Sequence, residues 1–98
     1  MNTDTFEAFE ADARAAGFDE VLQREWQPGQ ELDTHRHPFE VKAVVKQGEL
    51  WLNDGECIRH LRPGDTFELE RDAPHAERYG PEGALFWVAR RHSSNESR

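Results

Sequence analysis

The spacing of turn residues is the feature that most constrains the fold of this chain. From Phe18 onward, short apolar or alternating runs are separated by Gly, Pro, Asn and Asp at regular intervals, a pattern typical of a sandwich or barrel. We expect eight strands, at Val21–Trp26, Glu31–His37, Val41–Gln47, Glu49–Asn53, Glu56–Leu61, Thr66–Leu69, His75–Tyr79 and Ala84–Arg90. The sequence therefore predicts an all-β domain.

One short amphipathic helix is predicted ahead of the strands, from about Thr5 to Ala16. Asp4 and Glu7 have capping-box spacing, and Gly17 follows as a C-terminal stop. Because so short a helix is marginal alone, it needs an apolar surface to pack on. We expect three segments: a helix packed on the barrel in residues 1–19, the barrel in residues 20–91, and a flexible tail in residues 92–98.

Side-chain alternation indicates which strand residues face the core. Lys42 and Lys46 should face water, which turns Val41, Ala43 and Val45 inward and Val44 outward. Leu50 and Leu52 are expected inside, and Trp51 outside beside Val44. The last strand is apolar on both faces, so a cover is expected from the helix or from a second copy. The outer face of Val44, Trp51 and the last strand is thus a candidate partner surface, and a homodimer is predicted.

Charge and length exclude several partners. The 98 residues contain 20 acidic and 12 basic side chains, a formal net charge of -8, which disfavours binding to nucleic acid or to an anionic membrane surface. No apolar run approaches the roughly 20 residues that span a bilayer. The single cysteine excludes an internal disulfide, and the acidic N-terminus does not resemble a signal peptide, so a cytoplasmic location is expected.

A histidine pair carries the main chemical signal. His35 and His37 are separated by one residue, so on a strand both side chains project to the same face and can reach one ion. A third histidine, His75, follows Pro74 forty residues later. Imidazole suits zinc, iron, copper and nickel, and three imidazoles leave positions open for water or substrate.

These residues resemble the motifs of a small single-domain cupin. The first cupin motif is matched by Gly29, His35, His37 and Gly48, and the second by the separation of Gly64 from His75. The resemblance implies a jelly-roll β-barrel whose mouth holds a divalent metal ion, such as Fe(II), Mn(II), Ni(II) or Zn(II), through the three histidines. It also implies a small-molecule ligand or substrate.

The fourth ligand of the cupin motif is replaced. Its glutamate falls on Val41, and Glu40, one residue early, should lie on the outer face with Lys42. Glu77, two residues after His75, shares its face. Two site models follow: three neutral histidines alone, which we favour with Glu77 as the candidate catalytic base, or a fourth ligand supplied by Glu77 or Glu40.

The histidine site supports two hypotheses of function. The first is an iron-dependent dioxygenase-like or isomerase-like enzyme that acts on a small organic molecule. The alternative is a non-catalytic small-ligand-binding or sensory module. Outside the triad, His60 and His92 are expected in solvent, Cys57 as a small buried hydrophobe, and the three tryptophans as packing residues.

Overall fold

The part of the chain that the structure describes forms one helix followed by six strands. The computed structural model describes residues 4–92. The elements are α1 (Phe6–Ala15), β1 (Glu20–Trp26), β2 (Glu31–His35), β3 (Glu40–Asn53), β4 (Ile58–Leu61), β5 (Thr66–Leu69) and β6 (His75–Arg91).

The two long strands, β3 and β6, organise the sheet. They pair with each other in antiparallel register from Glu40 opposite Arg91 to Asn53 opposite Ala76. The first half of β3 also pairs with β5 and its second half with β4. In the same way, β6 pairs with β2 near its start and with β1 near its end. Both halves of the folded sheet contribute side chains to one core.

Two pairs of predicted strands each form one continuous strand, because glycines bend the chain without ending the pairing. β3 passes through Gly48 with irregular register on either side, and β6 runs through Gly80 and Gly83. Gly48 has φ 75°, and a Cβ there would lie 2.0 Å from the carbonyl oxygen of Gly83. The glycines that predicted strand ends therefore mark bends. The predicted strands Glu31–His37 and Glu56–Leu61 are also shorter than expected, ending at His35 and beginning at Ile58.

The predicted inward residues lie in the core. Val41, Ala43 and Val45 from the first half of β3 pack with Leu50 and Leu52 from its second half, and all five are buried. Tyr79 and Phe86 of β6 fill the space between the halves, with ring centroids 5.8 Å apart. Alternation along the two halves of β3 thus predicted their inward residues correctly.

Helix α1 covers the outer face of the first half of β3. Phe9 and Ala13 are buried against Val44 and Ala89, so the helix packs on the strands. Val44 is 0% exposed within the single chain, so its expected place in an exposed partner surface is wrong. Trp51 lies apart from this cluster, stacked on His60 with a centroid separation of 4.4 Å.

The helix ends differ from the sequence prediction at the N-terminus. Thr5 is the N-cap, and its hydroxyl accepts a hydrogen bond from the Ala8 amide, so the expected capping role of Asp4 is wrong. At the other end, Gly17 has φ 97° and its amide donates to the Arg14 carbonyl, as expected of a C-terminal stop.

Residue 92 is held on the barrel. The His92 amide donates to the Asp19 carboxylate at 3.0 Å, and its ring lies 2.7 Å from a Glu20 oxygen. The rest of the predicted tail, residues 93–98, lies outside the described residues, as do residues 1–3. Within residues 4–92, no helix has the length and apolar character needed to cross a membrane.

The close contact at the bend leads to a stability prediction. Gly48→Ala should lower the free energy of unfolding by at least about 2 kcal/mol more than Gly29→Ala, measured by urea titration. Gly29 is the matched control, because its φ of 68° imposes a similar backbone cost while a Cβ there meets nothing within 4 Å. Equal losses in the two variants would show that the bend does not depend on the contact between Gly48 and Gly83.

Candidate metal centre

The three predicted histidines come together at one end of the barrel. His35, the last residue of β2, pairs in register with His75, the first residue of β6. His37 lies two residues beyond β2, where its ring stacks on Phe39 and its carbonyl accepts from the Asp72 amide. Their possible ligand nitrogens all lie within 4.8 Å of one another, so this cluster could hold a metal ion.

Backbone carbonyls set the tautomer of two of these imidazoles. Nδ1 of His35 lies 2.7 Å from the Asp33 carbonyl, and Nδ1 of His75 lies 2.9 Å from the Ala73 carbonyl. Because a carbonyl oxygen only accepts, each Nδ1 must carry the proton. The lone pair of each neutral ring is therefore on Nε2, the form that metal-binding histidines adopt.

The Nε2 atom of His75 is buried without a hydrogen bond. The His75 side chain is 2% exposed, and this nitrogen has no hydrogen-bond partner among residues 4–92. A buried imidazole lone pair without a hydrogen bond costs free energy, which a coordinated cation would offset. A metal ion satisfies an imidazole lone pair directly, so the donor set fits a divalent cation.

Glu77 lies between two of the histidines. Its Oε2 is 3.2 Å from Nε2 of His35 and 3.2 Å from Nε2 of His75. Two ligand atoms about 2.1 Å from a shared ion are about 3.0–3.4 Å apart at octahedral or tetrahedral angles. The observed separations fit a carboxylate ligand beside the histidines.

Tyr79 holds the other oxygen of Glu77. The Tyr79 hydroxyl donates to Oε1, and burial together with the Glu77 charge raises the tyrosine pKa, so the phenol stays a donor. Burial alone would raise the Glu77 pKa, but the neighbouring His75 and the Tyr79 hydroxyl outweigh it and lower that pKa. Glu77 is therefore an oriented carboxylate at neutral pH.

The surroundings of the site also shift the pKa values of two of its histidines, His37 and His75. Burial lowers the pKa of His37, and the neighbouring His35 and His75 lower it further, which favours the neutral form. Burial also opposes charge on His75, but the Glu77 carboxylate and the Ala73 carbonyl raise its pKa above the ordinary value. Without a metal, His75 and Glu77 thus stabilise each other as an ion pair, and a cation would replace the proton.

The remaining candidates lie outside the cluster. Glu40 forms a 2.8 Å ion pair with Arg91 on the outer surface, so the model in which Glu40 is a ligand is wrong. His60 lies 2.5 Å from a Glu49 oxygen and is stacked on Trp51. Cys57 is exposed, which corrects the expectation that it is buried.

The fold of this chain is similar to that of several proteins of known structure. No protein-family model matches the sequence. A crystal structure of an RmlC-like cupin from Shewanella frigidimarina aligns with a TM-score of 0.68 at 20% identity, covering 82% of this chain and 71% of that one. The chain folds as a small cupin domain. A chain from crystal structures of the DMSP lyases RdDddP and RnDddQII aligns with the cupin at a TM-score of 0.68 and 25% identity, covering 80% of the cupin and 40% of that chain.

A curated relative also matches part of the cupin. An uncharacterized HTH-type transcriptional regulator from Haemophilus influenzae is 39% identical over 59 residues, which are 59% of the cupin. The match spans 19% of the regulator, about a fifth of its length.

A cavity leads from the surface of the cupin past the histidines into its core. The outer cleft encloses about 470 Å³ and is bordered by His35, His37 and Glu77. An inner cavity of about 60 Å³ continues from His37, His75 and Glu77 to apolar walls. Arg24, Trp26 and Arg90 line both spaces. We did not expect these three residues in the site, although Arg24 and Arg90 share their strand faces with the buried or half-buried Leu22, Trp26, Phe86 and Val88.

The cluster predicts that a metal ion stabilises the fold. Zn²⁺ at a hundredfold excess over its dissociation constant should raise the melting temperature of the chelator-treated protein by about 10–20 °C. His75→Ala should abolish this increase, whereas the control His60→Ala, at a histidine outside the cluster, should retain it. The measurement is thermal unfolding followed by circular dichroism. An equal increase in all three proteins would mean that zinc binds elsewhere.

Proposed function

We propose that this cupin holds a divalent metal ion through His35, His37 and His75, with Glu77 as a fourth ligand, and acts there on a small organic molecule. The observation that carries the proposal is the buried Nε2 of His75, which lacks a hydrogen bond beside two other imidazoles and a carboxylate. Of the two site models from the sequence, the position of Glu77 between His35 and His75 supports the one with a fourth ligand.

The residues around the ion would orient its ligands and exclude water from the bound molecule. A divalent ion would supply Lewis-acid or redox chemistry to a bound molecule. Tyr79 orients Glu77 through its hydroxyl, and the carbonyls of Asp33 and Ala73 orient the imidazoles. The apolar inner wall keeps water away from part of the bound molecule.

The role of Glu77 can be tested directly. Glu77→Gln keeps the side-chain shape but weakens metal binding if the carboxylate is a ligand. If Glu77 is instead only a catalytic base, the variant retains metal and loses turnover. Metal stoichiometry and affinity distinguish the two roles without requiring a known substrate.

We propose that the site has a dioxygenase-like or isomerase-like activity. The alignment with a chain from the DMSP lyase structures favours an enzyme, because a lyase is a catalytic protein. Metal analysis of protein purified without chelator, beside His37→Ala, should find near-stoichiometric metal only in the wild type. Oxygen uptake with candidate thiols and diketones then tests the oxidative reactions. Equal, substoichiometric metal in both proteins would refute the proposed site.

A non-catalytic ligand-binding or sensory module is the second candidate. The similarity to an HTH-type transcriptional regulator favours it, since a regulator needs a ligand pocket and not turnover. Recovery of an unchanged ligand after prolonged incubation with the metal-loaded protein would support this candidate. The homodimer and the cytoplasmic location remain predictions, which sedimentation and fractionation can test.

The contact between Tyr79 and Glu77 predicts the effect of one hydroxyl on the metal. Tyr79→Phe should weaken metal binding about 10–100-fold, because Glu77 loses the donor that orients it. Competition with a chromophoric chelator measures the affinity. In a Glu77→Gln background the same substitution should have a much smaller effect. An undiminished effect in that background would mean that Tyr79 acts on the metal by another route.

A further inference from the structure

His37 differs from the other two histidines of the cluster in how its ring is held. Nδ1 of His35 and Nδ1 of His75 each have a carbonyl partner, whereas the His37 ring forms no hydrogen bond within residues 4–92. His37 also lies outside the strands, two residues after β2 ends. A metal-binding histidine is normally oriented through its second ring nitrogen, so the position of His37 depends on other contacts.

The turn between β5 and β6 holds the backbone around His37. The amide of Asp72 donates to the His37 carbonyl at 2.8 Å, and Nη1 of Arg71 donates to the Pro38 carbonyl at 2.6 Å. The same Nη1 donates to the His92 carbonyl at 3.4 Å, just beyond the end of β6. Two consecutive carbonyls of the His37 segment are therefore bound by consecutive residues of one turn.

The same turn also orients His75. The Ala73 amide donates to the Glu70 carbonyl at 3.1 Å, which closes the turn. The Ala73 carbonyl lies 2.9 Å from Nδ1 of His75. Residues 70–73, which we call the ligand turn, thus contact two histidines that lie far apart in the sequence and set their positions relative to each other.

The ligand turn contains a strained residue. Asp72 has φ 62° and is the one residue other than glycine with a positive φ in the described part of the chain. Turns that need this conformation usually have glycine there. The exposed Asp72 side chain forms no hydrogen bond or ion pair within residues 4–92, so its contact with His37 is made by the backbone alone. Backbone strain of this kind is found at functional sites, where surrounding contacts maintain it.

Stacking holds the His37 ring on the backbone that the turn has fixed. The ring lies parallel to Phe39, with an interplanar angle of 10° and centroids 4.9 Å apart. Phe39 in turn contacts the Arg90 guanidinium at 4.9 Å and the His92 ring at 4.8 Å. The carbonyl bound by Arg71 lies between His37 and Phe39 in the sequence, so the stacking depends on the ligand turn.

We infer that Arg71 and Asp72 are positioning residues that fix His37 in the histidine cluster. Neither residue lines the cavities beside the histidines, so both act through His37. The effect of a fixed His37 on metal affinity rests on the proposed function. The fixation itself is made by contacts within the chain and does not require the ion.

The first experiment measures Zn²⁺ affinity by competition with a chromophoric chelator. Arg71→Gln should weaken Zn²⁺ binding about tenfold, because His37 is no longer held for the ion. The control is Arg36→Gln, at an exposed residue that forms no hydrogen bond or ion pair within residues 4–92. Both substitutions remove one positive charge near the site, which by itself favours a cation, so weaker binding reports a change of geometry. At saturating Co²⁺ the visible spectrum should change in Arg71→Gln and not in Arg36→Gln, because it follows the number and geometry of the ligands.

A second pair of variants tests the strained backbone. Asp72→Gly and Asp72→Val remove the same charge, but glycine readily adopts a positive φ and valine strongly disfavours it. Asp72→Gly should keep the Zn²⁺ affinity within about twofold of the wild type, whereas Asp72→Val should weaken it about tenfold, because the turn opens in most molecules. If Arg71→Gln does not fold, this pair decides the question, and equal affinities in the two variants would overturn the inference.

Measurements on the metal-free protein separate this inference from the metal site. In Arg71→Gln, hydrogen exchange of the Asp72 amide should be at least about tenfold faster than in the wild type, and the NMR contact between the rings of His37 and Phe39 should be lost. Unchanged exchange and an unchanged ring contact would overturn the inference whether or not the ion binds. Equal Zn²⁺ affinities in Arg71→Gln and Arg36→Gln would overturn it while the metal site stands. Faster exchange and a lost ring contact, with no Zn²⁺ bound by the wild type, would support the fixation of His37 and refute the proposed metal site.

Discussion

The close approach of Gly48 to Gly83 is the contact on which the rest of the structure depends. β3 and β6 pair over most of their length, and only a bend in both strands can fold this long ribbon over a core. A Cβ on Gly48 would collide with the Gly83 carbonyl, and one on Gly83 would lie 2.3 Å from the Trp26 carbonyl. The bend brings the halves of each strand face to face, so that Leu50 and Tyr79 meet Val45 and Phe86 in one core.

The same bend determines where the site lies. The start of β6 carries His75 and Glu77, and its end carries Arg90, so both ends of one strand contribute to the wall of the same cavity. β1 pairs with the far half of β6 and adds Arg24 and Trp26. Residues distant in sequence thus surround one cavity, because the strand that carries them turns back over itself. The buried Nε2 of His75, which has no hydrogen bond, is a cost of folding that a bound ion would offset.

Alternation and turn chemistry predicted much of this arrangement. The inward positions of Val41, Ala43 and Val45 followed from the lysines that alternate with them, those of Leu50 and Leu52 from their own alternation, and the histidine triad from spacing and from the resemblance to cupin motifs. The difference in the number of strands has one cause. Gly48 and Gly80 predict strand ends in the sequence, since a glycine allows a bend and a turn equally well. Which of the two occurs depends on whether a partner strand continues alongside.

The sequence by itself determined the all-β class and the inward faces of both halves of β3, because these depend on local alternation, and it identified the three histidines through their spacing and the resemblance to cupin motifs. Only the tertiary structure decided that Glu77 lies between His35 and His75, that Glu40 pairs with Arg91, and that Arg24, Trp26 and Arg90 face the same cavity. These facts depend on strand register and on the bend. A shift of one residue in the pairing would turn each of these side chains to the opposite face.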